Sequence, residues 1–286
     1  MQDVENDYNP DMNLLAFQIT PSKNIPFQTQ ASSLDEMTRE LPQGFYTTFS
    51  TLSNATRVLG LRAHLQRLYI PGMEQGIVAA VDEQLLRSRV AELAKLNLPN
   101  ESRIRLILTK NNGNVYVGIQ PFEPLSREIY ENGVQVITAE LARKSPRVKD
   151  TGFISSSIDQ RRRVGRDIFE VLLTKDGKIL EGMTSNFYVV KGKSLVTAQR
   201  GILLGVTRRA ILKLARGQGM FIEYRSPRVD EKFDEAFLTS SSRGVVPVIS
   251  IDNRVVGEGR VGRFTKQLSA GYEAYLLAKA ESILGR

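Results

Sequence analysis

The chain has 286 residues, of which 41% are apolar, with a formal net charge of +8, one histidine and no cysteine. The lack of cysteine excludes disulfides, thiolate catalysis and cysteine-based metal sites. With a single histidine, most hydrolase triads and histidine-rich metal sites are excluded as well. This length and composition predict a globular protein of two domains without a metal site.

The ends and the charge pattern indicate where the protein works. Residues Met1 to Asp7 are acidic and polar, unlike a signal peptide, and the longest uncharged apolar run, 244–251, is too short to cross a bilayer. We therefore expect a cytoplasmic protein that does not enter membranes. The Arg161-Arg162-Arg163 triplet suggests a nucleic-acid-binding patch, but it has no interleaved aromatics and basic residues are spread along the chain. A field that attracts small anions is the preferred interpretation, and no nucleic-acid partner is expected.

The first part of the chain, residues 1–120, is predicted to form a small α/β domain. Residues 1–40 are polar, contain three prolines and show no period, so we expect an arm that packs on the body. The elements predicted next, in order, are a strand at 45–50, a turn at 53–55, a return strand at 57–59, a helix at 61–69, a longer helix capped by Asp82 and closed by Pro99, and a hairpin of strands 103–108 and 115–119.

Residues 121–133 are predicted to be a linker, because they include two prolines and show no period, and residues 134–286 form the larger domain. Its predicted elements are a strand at 134–137, a hairpin of arms 168–174 and 178–190 around Asp176-Gly177, a strand at 194–198, a helix that follows Thr207 and stops at Gly217 and Gly219, a strand at 235–239, a turn at 252–253 and a C-terminal helix at 261–284.

Three separate places offer groups that bind anions. The loop before Val206 and Thr207 enters a helix, where free N–H groups and the helix dipole favour a phosphate. Ser240 and Ser241 carry two hydroxyls at the end of a strand, and Arg67 has a planar guanidinium that suits a phosphate or a carboxylate. An N-cap, a turn and a surface arginine are the corresponding structural alternatives. The residues alone do not show that the three places converge.

The order of these motifs resembles the class IV aminotransferases, the fold-type IV enzymes of pyridoxal phosphate, which include branched-chain and D-amino-acid aminotransferases and aminodeoxychorismate lyases. The resemblance runs from about Gly44 to the C-terminal helix. It implies an α+β fold in which a small α/β sandwich precedes a larger pseudo-barrel α/β domain, and it implies a homodimer. It rests on His64-Leu-Gln-Arg67-Leu68, on Lys149, on Glu181-Gly-Met-Thr-Ser-Asn186-Phe187, on Leu204-Gly-Val-Thr207-Arg208 and on the segment from Thr239 to Val248.

The resemblance also implies the roles of individual residues. Lys149 would bind pyridoxal phosphate covalently and transfer protons, and Glu181 would keep the pyridine nitrogen protonated. Arg67, Val206, Thr207, Ser240 and Ser241 would hold the phosphate. The implied reaction moves an amino group from an amino acid or amine to a 2-keto acid in two half-reactions. The alternative on the same scaffold is a lyase that releases pyruvate from aminodeoxychorismate.

Substrate-binding residues are expected on the first strand of the body. Its alternation places Tyr46, Thr48 and Ser50 on one face, and the resemblance makes Tyr46 and Thr48 pocket-lining residues. Arg105 matches an arginine near the substrate carboxylate in branched-chain members, and a strand arginine that points to solvent is the alternative. Arg243 is a second candidate for that carboxylate. Branched-chain members carry a tyrosine a few residues after the lysine, whereas Phe153 and Ile154 at this place have no donor.

Overall fold

A computed structural model describes residues 14–165 and 167–285. The acidic start of the chain and the first third of the expected arm lie outside the described residues. The elements of the first part are β1 (Leu15–Ile19), β2 (Asn24–Pro26), α1 (Leu34–Glu40), β3 (Gly44–Ser50), β4 (Arg57–Leu59), α2 (Leu61–Glu74), α3 (Glu83–Leu93), a 3-10 turn (Ala94–Asn97), β5 (Ser102–Thr109) and β6 (Val115–Pro121).

The second part contains both helices and strands, with the helices α7 and α8 flanking the sheet. Its elements are α4 (Arg127–Asn132), β7 (Val134–Glu140), α5 (Gly152–Ser156), α6 (Ile158–Arg162), β8 (Glu170–Lys175), β9 (Lys178–Gly182), β10 (Asn186–Lys191), β11 (Ser194–Thr197), α7 (Val206–Gly217), β12 (Phe221–Tyr224), β13 (Glu235–Ser240), β14 (Gly244–Ile251), β15 (Arg254–Val255), α8 (Arg263–Lys279) and β16 (Ala280–Ser282).

The first sheet has the strand order β2-β1-β6-β5-β3 and is antiparallel throughout. Successive side chains of a strand point to opposite faces. The face with Phe45 and Phe49 of β3 packs in one core with Leu65 of α2 and Val90 of α3. The opposite face carries Tyr46 beside α1. The alternation predicted for this strand is confirmed, and it turns Tyr46, Thr48 and Ser50 away from the helical layer.

The second sheet has the order β12-β11-β10-β13-β14-β7-β8-β9, with β15 paired to β14, and it forms a half-barrel. Parallel pairs join β7 to β8 and to β14, and the hairpins are antiparallel. Helices α7 and α8 cover one face, where Tyr188 and Phe237 stack at 4.8 Å between ring centroids. The fold is the mixed α/β arrangement with a pseudo-barrel that the resemblance implied.

The prediction of an N-terminal arm is wrong from residue 14 onwards. β1 pairs with β6, with Phe17 opposite Val117, so this segment is a strand of the first sheet, and α1 closes its face. The segment shows no alternation in the sequence because both its faces are partly covered. Backbone hydrogen bonds to β6 hold β1 in place, and the pattern of side chains along the sequence does not indicate such bonds.

Two other predicted elements change their partners. The strand at 57–59 was expected to return along β3, but β4 pairs with β16, and β3 pairs with β5. The C-terminal helix was predicted to reach residue 284 and ends instead at Lys279, because the last residues extend to form β16. Pairing between residues more than 200 positions apart leaves no local signal.

The second arm of the predicted hairpin divides in two. The turn itself is confirmed, since Asp176 and Gly177 have φ values of 52° and 70°. β9 pairs with β8, and the chain then bends so that β10 pairs with β11 and β13. A Cβ at Gly182 would overlap the hydroxyl of Ser185, which shows how tight this bend is. The bend places Glu181 at the end of β9 and inside the half-barrel.

The domain boundaries at 120 and 133 stay a prediction. The strands of the first sheet precede residue 122, those of the half-barrel follow residue 133, and α4 lies in the segment predicted as a linker. Among residues 14–165 and 167–285, no helix has both the length and the apolar character needed to cross a membrane.

Candidate active site

A cavity of about 320 Å³ lies between the half-barrel and the face of the first sheet that carries Tyr46 and Thr48. It brings together every residue to which the sequence assigned a role at the site, although these residues come from seven places in the chain. They are Tyr46, Thr48, Arg67, Arg105, Lys149, Glu181, Val206, Thr207, Ser240 and Ser241. The rival candidate Arg243 lines the same cavity.

Lys149 lies in the loop that follows β7, and β3 fixes its backbone. The Tyr46 N–H donates to the Lys149 carbonyl at 2.9 Å, and Nζ lies 4.7 Å from the centroid of the Tyr46 ring. Burial lowers the pKa of the Lys149 amine well below its usual value, and the positive charges of Arg143, Arg67 and Arg105 lower it further against the opposing effect of Glu181. A neutral amine is the nucleophilic form, so the site favours the form that attacks a carbonyl.

Glu181 is only 2% exposed and accepts three hydrogen bonds. Arg143 Nε donates at 2.8 Å, the Leu203 N–H at 3.0 Å and Asn186 Nδ2 at 3.3 Å. Burial raises the pKa of this carboxyl, and the Arg143 guanidinium opposes that shift. Glu181 is a buried acid in a cavity that holds a cationic partner for it.

Arg143 is a site residue that the sequence did not reveal. Besides its bond to Glu181 it donates from Nη2 to the Met183 carbonyl at 2.8 Å, and its guanidinium lies 3.7 Å from the centroid of the Phe153 ring. Its buried Nη1 has no hydrogen-bond partner among the described residues. Phe153, at the place of the missing tyrosine, thus packs against the partner of Glu181. Arg143 sits in a polar run six residues before Lys149, and nothing in that run distinguishes it.

The anion-binding end of the cavity lies at the start of α7. Gly205 is the N-cap of this helix, and no side chain of the described residues caps its N–H groups. Arg67 reaches the same place, donating from Nη2 to the Leu204 carbonyl at 2.5 Å. Burial and the neighbouring Arg209 lower the pKa of Arg67 to about 10, so it stays a cation at neutral pH. Thr207 is buried and its hydroxyl lies 3.4 Å from that of Tyr272.

Asn186 connects the two ends of the cavity. Its Nδ2 donates to the Leu203 carbonyl at 2.8 Å as well as to Glu181, and its Oδ1 accepts from the Gly205 N–H at 3.1 Å. The sequence placed Asn186 in a motif without giving it a task. Because one side chain holds both the carboxylate and the first residue before α7, the position of Glu181 is coupled to that of the anion-binding loop.

Arg105 lies in the cavity wall and is 5% exposed, so the solvent-facing alternative is wrong. Its Nη1 donates to Asp35 at 2.7 Å and to the Leu34 carbonyl at 2.9 Å, and its Nε donates to Thr48 at 3.0 Å. These bonds connect β5 to α1 and β3. Its assignment to the substrate stays a prediction.

Two other arginines of the sequence analysis also have internal partners. Arg161, the first member of the basic triplet, points into the cavity and pairs with Asp35. Arg162, the last residue of α6, and Arg163, its C-cap, are exposed. Arg243 donates to the buried Glu170 at 2.9 Å and to Ser240 at 3.2 Å.

The residues present fit pyridoxal phosphate. A phosphate requires N–H groups and a cation, which the uncapped start of α7 and Arg67 supply. The pyridine nitrogen requires a buried acid, and the aldehyde requires an amine with a lowered pKa, which Glu181 and Lys149 supply. No group of three or more histidine, cysteine, aspartate or glutamate residues that would hold a metal ion occurs among the described residues.

Comparison with known proteins agrees with this chemistry. The family model for amino-transferase class IV matches residues 44–251. The chain belongs to the class IV aminotransferases. Over 236 residues it is 29% identical to a D-alanine aminotransferase of Bacillus licheniformis, covering 77% of this chain and 83% of that protein. It is 27% identical to a putative branched-chain-amino-acid aminotransferase of Methanocaldococcus jannaschii, with 76% and 82% covered.

Solved structures of aminotransferases have the same fold. The crystal structure of a putative branched-chain amino acid aminotransferase from Thermotoga maritima superimposes with a TM-score of 0.77 at 27% identity, covering 93% of this chain and 96% of that one. A pyridoxal-phosphate-bound form of a hypothetical aminotransferase from Mycobacterium tuberculosis gives 0.74 at 19% identity, with 93% and 99% covered. The chain is thus a class IV transaminase, and the predicted family, activity and cofactor are confirmed at the level of the family.

Proposed function

We propose that Lys149 binds pyridoxal phosphate covalently and that the chain uses this cavity to move an amino group between an amino acid and a 2-keto acid. The observation that supports the proposal most is the meeting of Lys149, Glu181 and the α7 N-terminus in one cavity. When bound, the cofactor supplies an electron sink for the bonds at the amino carbon of the substrate. The tasks below belong to the residues of the chain.

Lys149 is the base and acid of the reaction in this proposal. Burial and three arginines disfavour the charged form of its amine, so it would accept a proton from the substrate Cα and deliver it to C4′ of the cofactor. Tyr46, whose ring lies against Nζ, limits the directions in which the amine moves.

Glu181 keeps the pyridine nitrogen of the cofactor protonated. Arg143, Leu203 and Asn186 hold its carboxylate in one place, so it needs no reorganisation when the cofactor binds. Arg67, the N–H groups of Val206 and Thr207, and the hydroxyls of Ser240 and Ser241 hold the phosphate. Tyr46 and Thr48 contact the substrate.

The amino donor is proposed to be an amino acid of one of the two kinds that the relatives' names give, D-alanine or a branched-chain amino acid. The two kinds of relative are almost equally similar to this chain, at 29% and 27% identity. Both handednesses therefore belong in the substrate screen. A homodimer and a cytoplasmic location stay predictions, and sedimentation of the purified protein tests the first.

The test combines an absorption spectrum with a transamination assay. We expect wild-type protein with pyridoxal phosphate to show an absorption band near the visible edge, and Lys149→Ala to lose both the band and turnover. Glu181→Gln is expected to keep the band and to lose at least about 100-fold in kcat, because the electron sink weakens. Lys144→Ala, which removes an exposed lysine five residues earlier, is the matched control and keeps both.

Two results would contradict the proposal. One is a wild-type protein that stays colourless with the cofactor, or a Lys149→Ala protein with the wild-type spectrum. The other is pyruvate release from aminodeoxychorismate without any keto-acid acceptor and without transamination of D-alanine or branched-chain donors, which would identify the lyase.

A further inference from the structure

The segment that carries Lys149 is joined to the first sheet by a short pairing. Residues 141–149 belong to no helix or strand among the described residues, and Asp150 forms an isolated antiparallel bridge with Phe45 of β3. One hydrogen bond of this bridge is that from the Tyr46 N–H to the Lys149 carbonyl. Because so little backbone pairing fixes the segment, its side-chain contacts help to decide where the Lys149 amine lies.

The bridge places Asp150 and Lys149 on opposite sides of the first sheet. Successive side chains of an extended segment point to opposite faces, and residues directly opposite one another share a face. Asp150 thus lies on the side of Phe45, and Lys149 lies on the side of Tyr46, where both line the cavity. A slip of the segment by one residue would exchange the two faces and turn Lys149 out of the cavity.

Asp150 uses both oxygens of its carboxylate. Its Oδ1 accepts from the Gly152 N–H at 2.7 Å, at the start of α5, and its Oδ2 accepts from Nζ of Lys110. Lys110 directly follows β5, and its own N–H donates to the Gln43 carbonyl at 2.8 Å, beside the start of β3. The carboxylate therefore connects the segment to α5 on one side and to the ends of two strands of the first sheet on the other.

The ion pair between Lys110 and Asp150 is partly exposed. The two side chains are 30% and 27% exposed, and the Lys110 Nζ lies 4.9 Å from the centroid of the Phe45 ring. An ion pair this exposed adds little to the free energy of unfolding, because water competes for both charges. One partner is fixed to the sheet and the other is next to Lys149. The pair is therefore better suited to fix the position of Lys149 than to stabilise the fold.

We propose that Asp150 and Lys110 are positioning residues, which hold the Lys149 amine where it forms its bond to pyridoxal phosphate and where it transfers protons. The proposal rests on the proposed function, because it concerns the lysine to which that function assigns the cofactor. The charged groups of both residues lie beside Phe45, on the face of the sheet opposite Tyr46. They act through Lys149 and not by contact with the substrate.

The formation of the bond between Lys149 and the cofactor depends on the direction of attack. The amine attacks the aldehyde carbon, a C=N bond replaces the C=O bond, and the oxygen leaves as water with the two protons of the amine. A displacement of a reacting atom by about 1 Å costs on the order of 100-fold in rate. Loss of the ion pair is therefore expected to slow this step without weakening the contacts that hold the phosphate.

The experiment mixes the full chain, freed of cofactor, with pyridoxal phosphate and follows the absorption band over time. Asp150→Asn keeps an acceptor for the Gly152 N–H and removes the charge, and Lys110→Met keeps the packing on Phe45. Each is expected to slow the appearance of the band about tenfold or more and to lower kcat about 10- to 100-fold, with KM for the keto acid within about threefold of wild type. Lys110→Arg keeps the ion pair and is expected to stay within about threefold of the wild-type rates.

Pyridoxamine phosphate separates positioning from a general distortion of the cavity. It carries the same phosphate and ring, but its amine forms no bond to Lys149. Its dissociation constant is expected to stay within about twofold of wild type in Asp150→Asn and Lys110→Met, because neither change touches the phosphate site. A larger change would overturn the proposal, since a distorted cavity would then account for the slow rates.

The double variant Asp150→Asn/Lys110→Met tests whether the two residues act as a pair. If they do, its rates equal those of the single variants, whereas independent residues would give the product of both losses and overturn the proposal. Lys191→Met is the matched control. Lys191 ends β10 and pairs with Glu231 at 3.6 Å, while the other end of this strand, Asn186, lines the cavity. Single variants with rates within about twofold of this control would also overturn the proposal.

Failure of this proposal and failure of the proposed function give different results. A wild-type protein that stays colourless with pyridoxal phosphate contradicts the role of Lys149. A wild-type protein that forms the band and transaminates, while Asp150→Asn and Lys110→Met do the same at the rates of Lys191→Met, contradicts only the roles of Asp150 and Lys110.

Discussion

His64 is the only histidine of the chain and lies in the motif that also contains Arg67. Its side chain is buried in the core. Its Nδ1 and the Thr47 hydroxyl share a hydrogen bond of 2.6 Å, and the centroid of its ring lies 5.1 Å from that of Phe49. Burial lowers the pKa of His64 well below its usual value of 6.5, with Arg67 and Lys149 adding to the shift. Folding therefore disfavours the charged imidazolium form of His64.

This shift predicts a pH dependence of stability. Below pH 6.5 the unfolded chain binds a proton at His64 that the folded protein does not, so the free energy of unfolding falls as pH drops and is fully retained above that pH. The slope from this residue approaches about 1.4 kcal/mol per pH unit. Urea unfolding of the wild type and of His64→Gln between pH 5 and 7.5 measures the contribution of His64 to this pH dependence. We expect the wild type to lose about 1–2 kcal/mol more than the variant over this range, and parallel curves would contradict the assignment.

At the scale of elements, the approach of α7 to the half-barrel depends on Gly205. Its N–H donates to Asn186 Oδ1, and a Cβ at this position would overlap that oxygen. Asn186 in turn donates to Glu181, so a shift of the loop before α7 reaches the carboxylate. A helix without a capping side chain at its start is less stable, but its free N–H groups are available to bind an anion.

Gly205→Ala is therefore predicted to damage both stability and cofactor binding. Overpacking against Asn186 is expected to lower the free energy of unfolding by about 1–3 kcal/mol and to raise the dissociation constant of pyridoxal phosphate at least tenfold. Gly217→Ala, at the far end of the same helix, is the control. In the part of the chain that the structure describes, no atom lies within 4 Å of a Cβ placed there, so this change is expected to be neutral or to stabilise by up to about 1 kcal/mol. Equal effects of the two substitutions would show that Asn186 accommodates the added methyl group.

At the scale of the whole molecule, the last residues of the chain connect the half-barrel, on which α8 packs, with the core of the first sheet, which contains Ile283. After α8 has packed on the half-barrel, β16 pairs with β4 and the Ile283 N–H donates to the Thr56 carbonyl at 3.0 Å. Ile283 is 1% exposed in the same core as Val58 and Leu61. The cavity lies between the parts that this return connects, so the last residues help to keep its two walls together.

Ile283→Ala is predicted to destabilise the whole protein. Removing three carbons from a fully buried site is expected to cost about 2–5 kcal/mol, measured as the change in the free energy of urea unfolding. Leu284→Ala is the control, since its side chain is 65% exposed and surface changes stay within about 0.5 kcal/mol. If the two variants unfold alike, the C-terminal strand does not contribute to this core.

Much of the local structure was predictable because its signals are local. Asp82 caps α3 through the Leu85 N–H, Asp176-Gly177 makes its turn, and the face shared by Tyr46 and Thr48 follows from alternation. The segments that failed depend on distant partners. β1 is held by β6 and β4 by β16, and the bend between β9 and β10 is held by strands on both sides.

The sequence by itself determined the family, through the order of Arg67, Lys149, Glu181 and Thr207 along the chain. It did so because these residues occur in short motifs whose order can be read from the sequence without the three-dimensional structure. The tertiary structure alone decided which charges are paired. Nothing in the sequence shows which carboxylates pair with Arg105 and Arg143. Only the packing of the chain places Asp35 beside Arg105 and Glu181 beside Arg143. An ion pair depends on distances in space, and the order of residues along the chain does not contain these distances.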